Sequence, residues 1–312
     1  MPSDLLLSVR DLRVAFGGVE VVRGVSFDVR PGEVLALVGE SGAGKSLTAR
    51  SVLGMAPEDA SVTGGVLLRG EPVTPADWGR SVAFVPQDAL SALSPVHRVG
   101  TQLTLAVRSV RGLSRREARA RAEEALAQVG IPGDRLDAFP HEFSGGMRQR
   151  AVIAMATVNE PALIVADEPT TALDPEMRAQ ILAALAERRE ATGASLVLVT
   201  HDLDAVREHA DRTAVMYAGR LVEYGPTDRI LTRPGSPYTA ALLASVPSDD
   251  APRKSRLPAL PGRPPSPGAV PPGCAFAPRC AHATARCGTE LPAPRSLDGR
   301  EVACHLDVLE PV

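Results

Sequence analysis

Lysine is scarce in this chain, and the sequence carries no excess of positive charge. Of its 34 basic residues only Lys45 and Lys254 are lysine, and the formal net charge at pH 7 is −3. A protein that binds nucleic acid through its surface needs a basic patch or stripe, so the charge balance argues against that class. The sequence also lacks any run of about 20 apolar residues, the length that a membrane-spanning helix requires.

A secretory signal peptide is a further absence. The first residues, MPSDLLLSVR, contain neither the charged region nor the apolar stretch of such a segment. This predicts a cytosolic protein that reaches a membrane only through a partner. With 312 residues, of which 44% are hydrophobic and 23% charged, the chain is long enough for one large domain or two unequal ones.

Alternating patterns predict an α/β core followed by a linker and a tail. Short apolar runs from residue 4 onward predict a small antiparallel sheet, which leads into a buried strand at Val34–Val38. Two later runs, ALIVAD and SLVLVTH, are typical of parallel strands covered on both faces. Because the composition changes after residue 245, we predict a core at 4–245, a Pro/Gly-rich linker at 246–273 and a cysteine-containing tail at 274–312.

Capping residues predict the starts of three helices. Ser114 and Glu117 form a capping box ahead of the first. The turn SGG at 144–146 precedes the second. Asp174 is the expected N-cap of the third helix, which Gly193 is expected to end.

The segment GESGAGKS, residues 39–46, fits the phosphate-loop pattern G-x-x-x-x-G-K-[ST]. Its glycines allow a tight turn that points backbone N–H groups at one phosphate, at the positive end of a helix beginning near Lys45. A lysine ammonium is a compact charge on a flexible stem, whereas the forked guanidinium of arginine is larger, which explains a lysine here. Ser46 would supply an oxygen to Mg²⁺. A glycine-rich turn with a chance lysine is the alternative, which the preceding strand and following helix disfavour.

Downstream residues decide the class, because a phosphate loop alone fits a kinase, a GTPase or a transport motor. Asp167 ends a buried strand, where its carboxylate is expected to meet the Mg²⁺ shell, and Glu168 is expected to orient and deprotonate a water. His201 ends another strand and is expected to contact the γ-phosphate or that water. Gln87 follows a short strand and suits a contact with Mg²⁺ or water. Taken singly, each of these residues also fits a structural role.

Ser144, Gly145 and Gly146 immediately precede a helix, so a hydroxyl and bare N–H groups form a second anion site. The first site is expected to hold one ATP. A dimer reconciles the two sites, because the serine–glycine turn of one subunit can close on the nucleotide that the other subunit holds. ATP would then bind between subunits, and hydrolysis would release them.

Taken in order, the phosphate loop, Gln87, SGG, ADEP, TTALD and His201 resemble the motifs of ATP-binding cassette (ABC) proteins over about residues 4–245. The resemblance implies an α/β fold with a RecA-like parallel sheet, an antiparallel β subdomain and a helical insertion at about 88–160. It implies ATP and Mg²⁺ as cofactors and a sandwich dimer, with Phe16 stacked on the adenine. The nucleotide contacts that it implies are Phe16, Gly39, Ser41, Gly42, Ala43, Gly44, Lys45, Ser46, Leu47 and Gln87.

Phe143 and Met147 stand where leucine and glutamine are usual in the ABC signature, and both changes are similar to one branch, the ATPase subunits of dipeptide and oligopeptide importers. FPHEFSGGMRQR, SPYTAALLASVP and the cysteine tail extend the likeness over nearly the whole chain. The resemblance implies an ATP-hydrolysing subunit, peripheral on the cytoplasmic face of the cell membrane. Its implied partners are a second, non-identical ATPase subunit, two integral-membrane permeases and an extracytoplasmic peptide-binding protein.

Three other interpretations stay open from the residues. They are an importer ATPase for nickel or another small solute, a soluble ABC ATPase acting on ribosomes or DNA, and a metal-sensing module that keeps ATP as a structural ligand. A single cassette and the net charge of −3 argue against the second. Glu168 and His201 together argue against the third. The choice between homodimer and heterodimer is also open.

The tail contains all four cysteines of the chain, Cys274, Cys280, Cys287 and Cys304. Disulfides are not expected in a cytosolic chain. Four thiols can ligate an iron–sulfur cluster, whereas zinc usually takes one pair of cysteines about two to four residues apart, which is missing here. Unligated thiols are the third possibility. The resemblance to the importer branch implies a four-iron four-sulfur (4Fe-4S) centre, as in at least some of its members. His282 and His305 of the tail are the substitute ligands that the sequence offers.

Overall fold

The computed structural model describes residues 5–171, 173–245 and 260–307. Most of the predicted linker, 246–259, therefore lies outside the described residues, as do Ala172 of the predicted TTALD loop and the last five residues of the tail. Within the described ranges, no helix is both long and apolar enough to cross a membrane.

The strands of the described residues range in length from two to 11 residues. In chain order they are β1 (Leu7–Phe16), β2 (Val19–Val29), β3 (Val34–Val38), β4 (Ala60–Leu68), β5 (Glu71–Pro72), β6 (Val82–Val85), β7 (Leu163–Asp167), β8 (Ser195–Val199), β9 (Arg212–Tyr217), β10 (Arg220–Pro226), β11 (Arg295–Leu297) and β12 (Arg300–Val302). The α-helices of the same residues are α1 (Lys45–Val52), α2 (Ala89–Ala92), α3 (Val99–Arg111), α4 (Arg115–Ala127), α5 (Gly145–Thr157), α6 (Pro175–Thr192), α7 (Leu203–His209), α8 (Thr227–Thr232), α9 (Pro237–Ala244) and α10 (Ala285–Thr289).

The chain folds into two compact units that alternate along the sequence. Of the described residues, the first unit contains 5–6, 29–33, 73–171 and 173–198. The second unit contains 7–28, 34–72, 199–245 and 260–307. The phosphate loop and the cysteine tail therefore belong to the second unit, and the helical insertion belongs to the first.

The second unit contains the predicted antiparallel sheet, with strand order β2-β1-β4-β5. Its other strands follow the order β11-β12-β10-β9-β3, in which β3 runs parallel to β9. All five residues of β3 are buried. The apolar run at Val34–Val38 thus forms the strand that the sequence predicts, and the phosphate loop follows it directly.

The first unit contains the predicted helical insertion beside strands ordered β8-β7-β6, with β6 parallel to β7. All three predicted caps are present. The side-chain oxygens of Ser114, Ser144 and Asp174 accept the N–H groups of Glu117, Met147 and Met177 at 3.3, 3.2 and 2.9 Å. Each bond satisfies one of the N–H groups that a helix start leaves without an intrahelical partner.

The cysteine tail adds to the second unit more regular structure than its sequence indicates. Strands β11 and β12 form a hairpin, and β12 pairs antiparallel with β10, Glu223 opposite Val302. The pairing surrounds an ion pair in which the Arg300 guanidinium lies 3.2 Å from a carboxylate oxygen of Glu223, with side chains 4% and 0% exposed. Glu223 also accepts the backbone N–H groups of Gly235 and Ser236 at 2.8 and 3.2 Å.

The first prediction concerns this buried pair. Arg300→Met leaves the Glu223 carboxylate buried without its cation, which is expected to lower the free energy of unfolding by about 3–5 kcal/mol. Burial already raises the pKa of Glu223. Because a raised carboxyl pKa penalises the ionised form, we expect the loss at pH 8 to exceed the loss near pH 3, which lies below the pKa of the group in both the folded and the unfolded chain.

Urea denaturation at both pH values measures this effect. The matched control is Glu301→Gln, which removes a charge from an exposed position of the same strand. Equal unfolding free energies for Arg300→Met and Glu301→Gln would show that the buried pair does not attach β12.

Candidate functional site

The loop between β3 and α1 has the geometry of a phosphate cradle. Gly39, Gly42 and Gly44 have φ values of 149°, 81° and 99°. These conformations favour glycine, because a Cβ would clash with the backbone and glycine has none. Lys45 is buried, and its ammonium donates to the backbone carbonyls of Gly39 at 2.8 Å and Glu40 at 3.2 Å. The lysine thus lies over the start of its own loop, where the phosphates of a bound nucleotide are expected.

The strand β9 and the turn after it hold this loop in place. A Cβ on Gly39 would overlap the backbone carbonyl oxygen of Met216. The N–H of Gly219 donates to the carbonyl of Ala43 at 3.0 Å. Sequence analysis does not identify these residues, because nothing local to Met216 or Gly219 indicates that they contact a loop nearly 180 positions earlier.

Asp167 and Glu168 lie together at the end of β7, in the first unit. Asp167 is the last residue of the strand and is only 1% exposed. Glu168 is half-buried with φ 45°, and its carboxylate accepts a hydrogen bond from the Thr171 hydroxyl at 2.8 Å. A non-glycine residue in the left-handed region is uncommon and often marks a functional turn. The end of β7 therefore places two consecutive carboxylates. Asp167 is buried, and Glu168 follows it in a left-handed backbone conformation.

Three further predicted site residues lie at ends of strands. Gln87 is exposed just after β6 in the first unit. His201 is exposed two residues after β8, and Asp202 next to it caps α7 by accepting the N–H of Ala205 at 3.2 Å. Phe16 is half-buried at the end of β1. The positions after the strands agree with the sequence prediction, while the chemical roles of these residues stay predictions.

The serine–glycine turn at the start of α5 is accessible. Ser144 and Gly145 are exposed, and Gly146 is buried against Met177 of α6. The Ser144 hydroxyl oxygen caps the helix through Met147, which leaves its proton able to donate to an anion. Because α5 is 13 residues long, its first turn presents a helix dipole to such an anion.

The four cysteines of the tail line one small cavity in the second unit, together with His282 and His305. Burial raises the pKa of the Cys274, Cys280 and Cys304 thiols. In the part of the chain that the structure describes, however, no group of three or more histidine, cysteine, aspartate or glutamate side chains is arranged to hold a metal ion. The predicted metal centre therefore has its donors near one another but not in a ligand geometry.

The chain is similar to known proteins over nearly its whole length. A family profile described as ABC transporter matches residues 22–171, and a second, described as the C-terminal region of oligopeptide/dipeptide transporters, matches residues 222–287. A probable peptide ABC transporter ATP-binding protein from Sinorhizobium fredii is 44% identical over 318 residues, covering 97% of this chain and 95% of that protein. The chain belongs to the ABC transporter family. The predicted fold class and family are thereby confirmed.

Two other matches show how far the likeness to ABC proteins extends. The oligopeptide transport ATP-binding protein OppD of Mycobacterium tuberculosis is 48% identical over 275 residues, covering 84% of this chain but 45% of OppD. The chain thus spans about half the length of that relative. An ATP-binding cassette solved as a dimer in a post-hydrolysis state with ADP and Pi matches with a TM-score of 0.63 at 25% identity, covering 71% of this chain and 98% of that one.

The second prediction concerns the glycines of the ABC phosphate loop. Gly39→Ala forces a Cβ into the Met216 carbonyl, so the loop must shift, and we expect at least a tenfold loss of ATP affinity together with a lower Tm. Gly54→Ala is the matched control, because Gly54 follows α1 outside the loop, no described atom lies within 4 Å of its added Cβ, and only the left-handed backbone cost of about 1–2 kcal/mol applies. Equilibrium binding of a fluorescent ATP analogue and thermal denaturation measure both. Equal losses in the two variants would contradict the close approach to β9.

Proposed function

We propose that this chain is the ATP-hydrolysing subunit of an importer for di- or oligopeptides. The observation that carries the proposal is the presence, in one chain, of a phosphate loop and of a C-terminal region matching that of oligopeptide/dipeptide transporters. The likeness to proteins named as peptide transport ATP-binding proteins supports the same solute class. The working complex contains two integral-membrane permeases and an extracytoplasmic peptide-binding protein, and this subunit is peripheral on the cytoplasmic face.

In the proposed nucleotide site, separate residues serve the phosphates, the Mg²⁺ ion and the attacking water. The glycine turn and the Lys45 ammonium neutralise the β- and γ-phosphates, while Ser46, Gln87 and Asp167 supply oxygen ligands suited to Mg²⁺. Glu168 orients and deprotonates the attacking water, and His201 contacts the γ-phosphate or that water. The remaining contacts that we propose, one for the adenine and the others around the phosphates, are Phe16, Gly39, Ser41, Gly42, Ala43, Gly44 and Leu47.

Coupling to transport requires a second ATPase subunit, which we propose is non-identical. The exposed turn Ser144–Gly145–Gly146 supports this step, because an accessible helix start with a free hydroxyl proton suits a phosphate held by another chain. The dimeric state of the solved cassette that matches this chain supports it further. ATP binding closes the dimer and pulls on the permeases, and hydrolysis opens it again.

The third prediction tests the proposed function through Glu168. In the complete transporter, Glu168→Gln keeps the shape of the side chain but removes its basicity, so ATP stays bound while hydrolysis and peptide uptake fall at least a hundredfold. Glu190→Gln, a change at an exposed surface carboxylate, is the matched control and is expected to transport at the wild-type rate. The measurements are ATP retention, phosphate release and uptake of a labelled dipeptide into vesicles.

Two outcomes would contradict the proposal in different ways. Rapid hydrolysis by Glu168→Gln would remove Glu168 as the base. The ATPase rate of the wild-type complex could instead respond to nickel or another small solute and not to peptides. That result would keep the ATPase assignment and show that the transported solute is not a peptide.

We further propose that the four tail cysteines hold a 4Fe-4S cluster. Four thiols lining one cavity are the donor set that such a cluster takes. Because burial keeps at least three of these thiols protonated, binding must release protons and draw the sulfurs together, which would fix the fold of the tail. A cluster would supply structural cross-linking here, and the residues that would hold it are Cys274, Cys280, Cys287 and Cys304.

The fourth prediction is the metal content of the protein. Anaerobically purified protein is expected to contain iron and acid-labile sulfide in nearly equal amounts and to absorb visible light. Cys280→Ser is expected to lose both, whereas Ser296→Cys, which adds a thiol on β11 of the tail, leaves them unchanged. A colourless protein with stoichiometric zinc, or with no metal, would overturn the cluster.

A further inference from the structure

A residue of the cysteine tail forms hydrogen bonds with a residue of the phosphate loop. The Arg279 guanidinium donates two parallel hydrogen bonds to the Glu40 carboxylate, one at 2.6 Å to Oε2 and one at 2.9 Å to Oε1. Glu40 is the second residue of the loop GESGAGKS, and Arg279 immediately precedes Cys280. Both residues belong to the second unit. A two-pronged bond of this kind fixes orientation as well as distance.

Arg279 is itself held from other directions. Its side chain is only 4% exposed, against 22% for Glu40. Its Nε donates to the carbonyl of Pro261 at 2.6 Å, and its Nη1 also donates to the Tyr217 hydroxyl at 3.2 Å. Hydrogen bonding to Glu40 raises the pKa of Arg279 above its ordinary value, so the cation persists at every physiological pH. The guanidinium is therefore a fixed support for Glu40.

The backbone of Glu40 is held by the same cluster. Its N–H donates to the Tyr238 hydroxyl at 2.9 Å. The ring of Tyr238 packs on Tyr217 and Phe276, with ring centroids 4.5 and 5.3 Å apart. The Tyr238 hydroxyl thus holds the main chain of Glu40, and Arg279 holds its side chain. The packed rings fix the position of the Tyr238 hydroxyl.

Glu40 in turn is linked to the lysine of the loop. The Lys45 ammonium donates to the carbonyl of Glu40 as well as to that of Gly39. A shift of Glu40 therefore moves one of the oxygens against which the ammonium is placed. A carboxylate that lost its arginine would also stand uncompensated within the loop that receives a triphosphate, and like charges at short distance repel.

We propose that Arg279 is a positioning residue for the nucleotide site, through which the cysteine tail sets the affinity of the phosphate loop for ATP. Arg279 acts by neutralising and orienting Glu40, without contact to the reaction. The inference rests on the proposed role of the loop in binding ATP, and it adds that the tail is part of the working nucleotide site. The tail thereby acts in ATP binding through a residue other than its cysteines.

The fifth prediction separates the charge effect from a loss of folding. Arg279→Met is expected to weaken ATP binding by at least tenfold and to raise KM for ATP, with kcat changed much less, because the loop is misplaced before chemistry begins. Arg279→Lys restores one charge without the fork and is expected to fall between wild type and Arg279→Met. The double variant Glu40→Gln/Arg279→Met removes both charges and is expected to recover most of the lost affinity.

Arg286→Met is the matched control, since Arg286 makes an exposed ion pair with Glu290 in the same tail. It is expected to bind ATP as wild type does. Binding of a fluorescent ATP analogue, steady-state kinetics and thermal denaturation without nucleotide are measured on the full-length protein. If Arg279→Met does not fold, the double variant and Arg279→Lys carry the comparison.

Two results would overturn the inference. One is wild-type ATP affinity in Arg279→Met, and the other is a double variant that binds ATP as weakly as Arg279→Met does, since the carboxylate would then not transmit the effect. Lys45→Ala distinguishes these from a failure of the proposed nucleotide site. If that variant binds ATP normally, residues 39–46 do not hold the phosphates, and both proposals fail together for a reason unrelated to Arg279.

Discussion

Contact between the phosphate loop and strand β9 is the constraint on which the second unit depends. The loop leaves β3 beside β9, and Gly39 passes so close to the Met216 carbonyl that no side chain fits between them. The Thr48 hydroxyl of α1 lies 3.8 Å from the Met216 sulfur, and the N–H of Gly219 bonds to Ala43. Backbone atoms of Met216 and Gly219, which are distant from the loop in sequence, thus pack directly against it. A cradle for phosphate must be pre-formed if its N–H groups are to replace water, and β9 supplies that rigidity.

The order of residues along the chain conceals this arrangement. Short-range signals predicted the strand at Val34–Val38, the helix that starts at Lys45 and the caps at Ser114, Ser144 and Asp174, because each depends on turn chemistry or periodicity within a few residues. The pairing of β12 with β10, and of Arg279 with Glu40, could not be predicted in this way. Residues 279 and 40 are 239 positions apart, and one arginine among 32 carries no mark of its partner.

The cysteines show a second limit of sequence analysis. Four thiols in a short tail predict a shared site, and the structure does bring them to one cavity. Their spacing does not determine ligand geometry, because that depends on backbone turns such as the one at which the N–H of Thr284 lies 3.5 Å from the Cys287 sulfur. Burial raises the pKa of the Cys274, Cys280 and Cys304 thiols, so these thiols are neutral and no electrostatic attraction draws them together. A cation or cluster changes that balance by favouring the thiolate form.

The choice of cation at each position follows from geometry. At Lys45 the ammonium donates to two carbonyls of its own loop, and a compact charge with freely directed donors suits that task and leaves room for a phosphate. The Glu40 carboxylate that Arg279 meets accepts two parallel bonds in one plane, which only a guanidinium can donate. Arg300 likewise faces two partners, since its Nη1 donates to the carbonyl of Arg229 at 2.8 Å and its Nε lies 3.2 Å from the Glu223 carboxylate. The tail packs on the second unit through Phe276, whose ring lies against Tyr217 and Tyr238, and the two buried arginines add directed contacts to this apolar one. An ion pair with two hydrogen bonds is directional, whereas an apolar contact is not. The position of Arg279 in the tail therefore fixes the orientation of Glu40 in the loop.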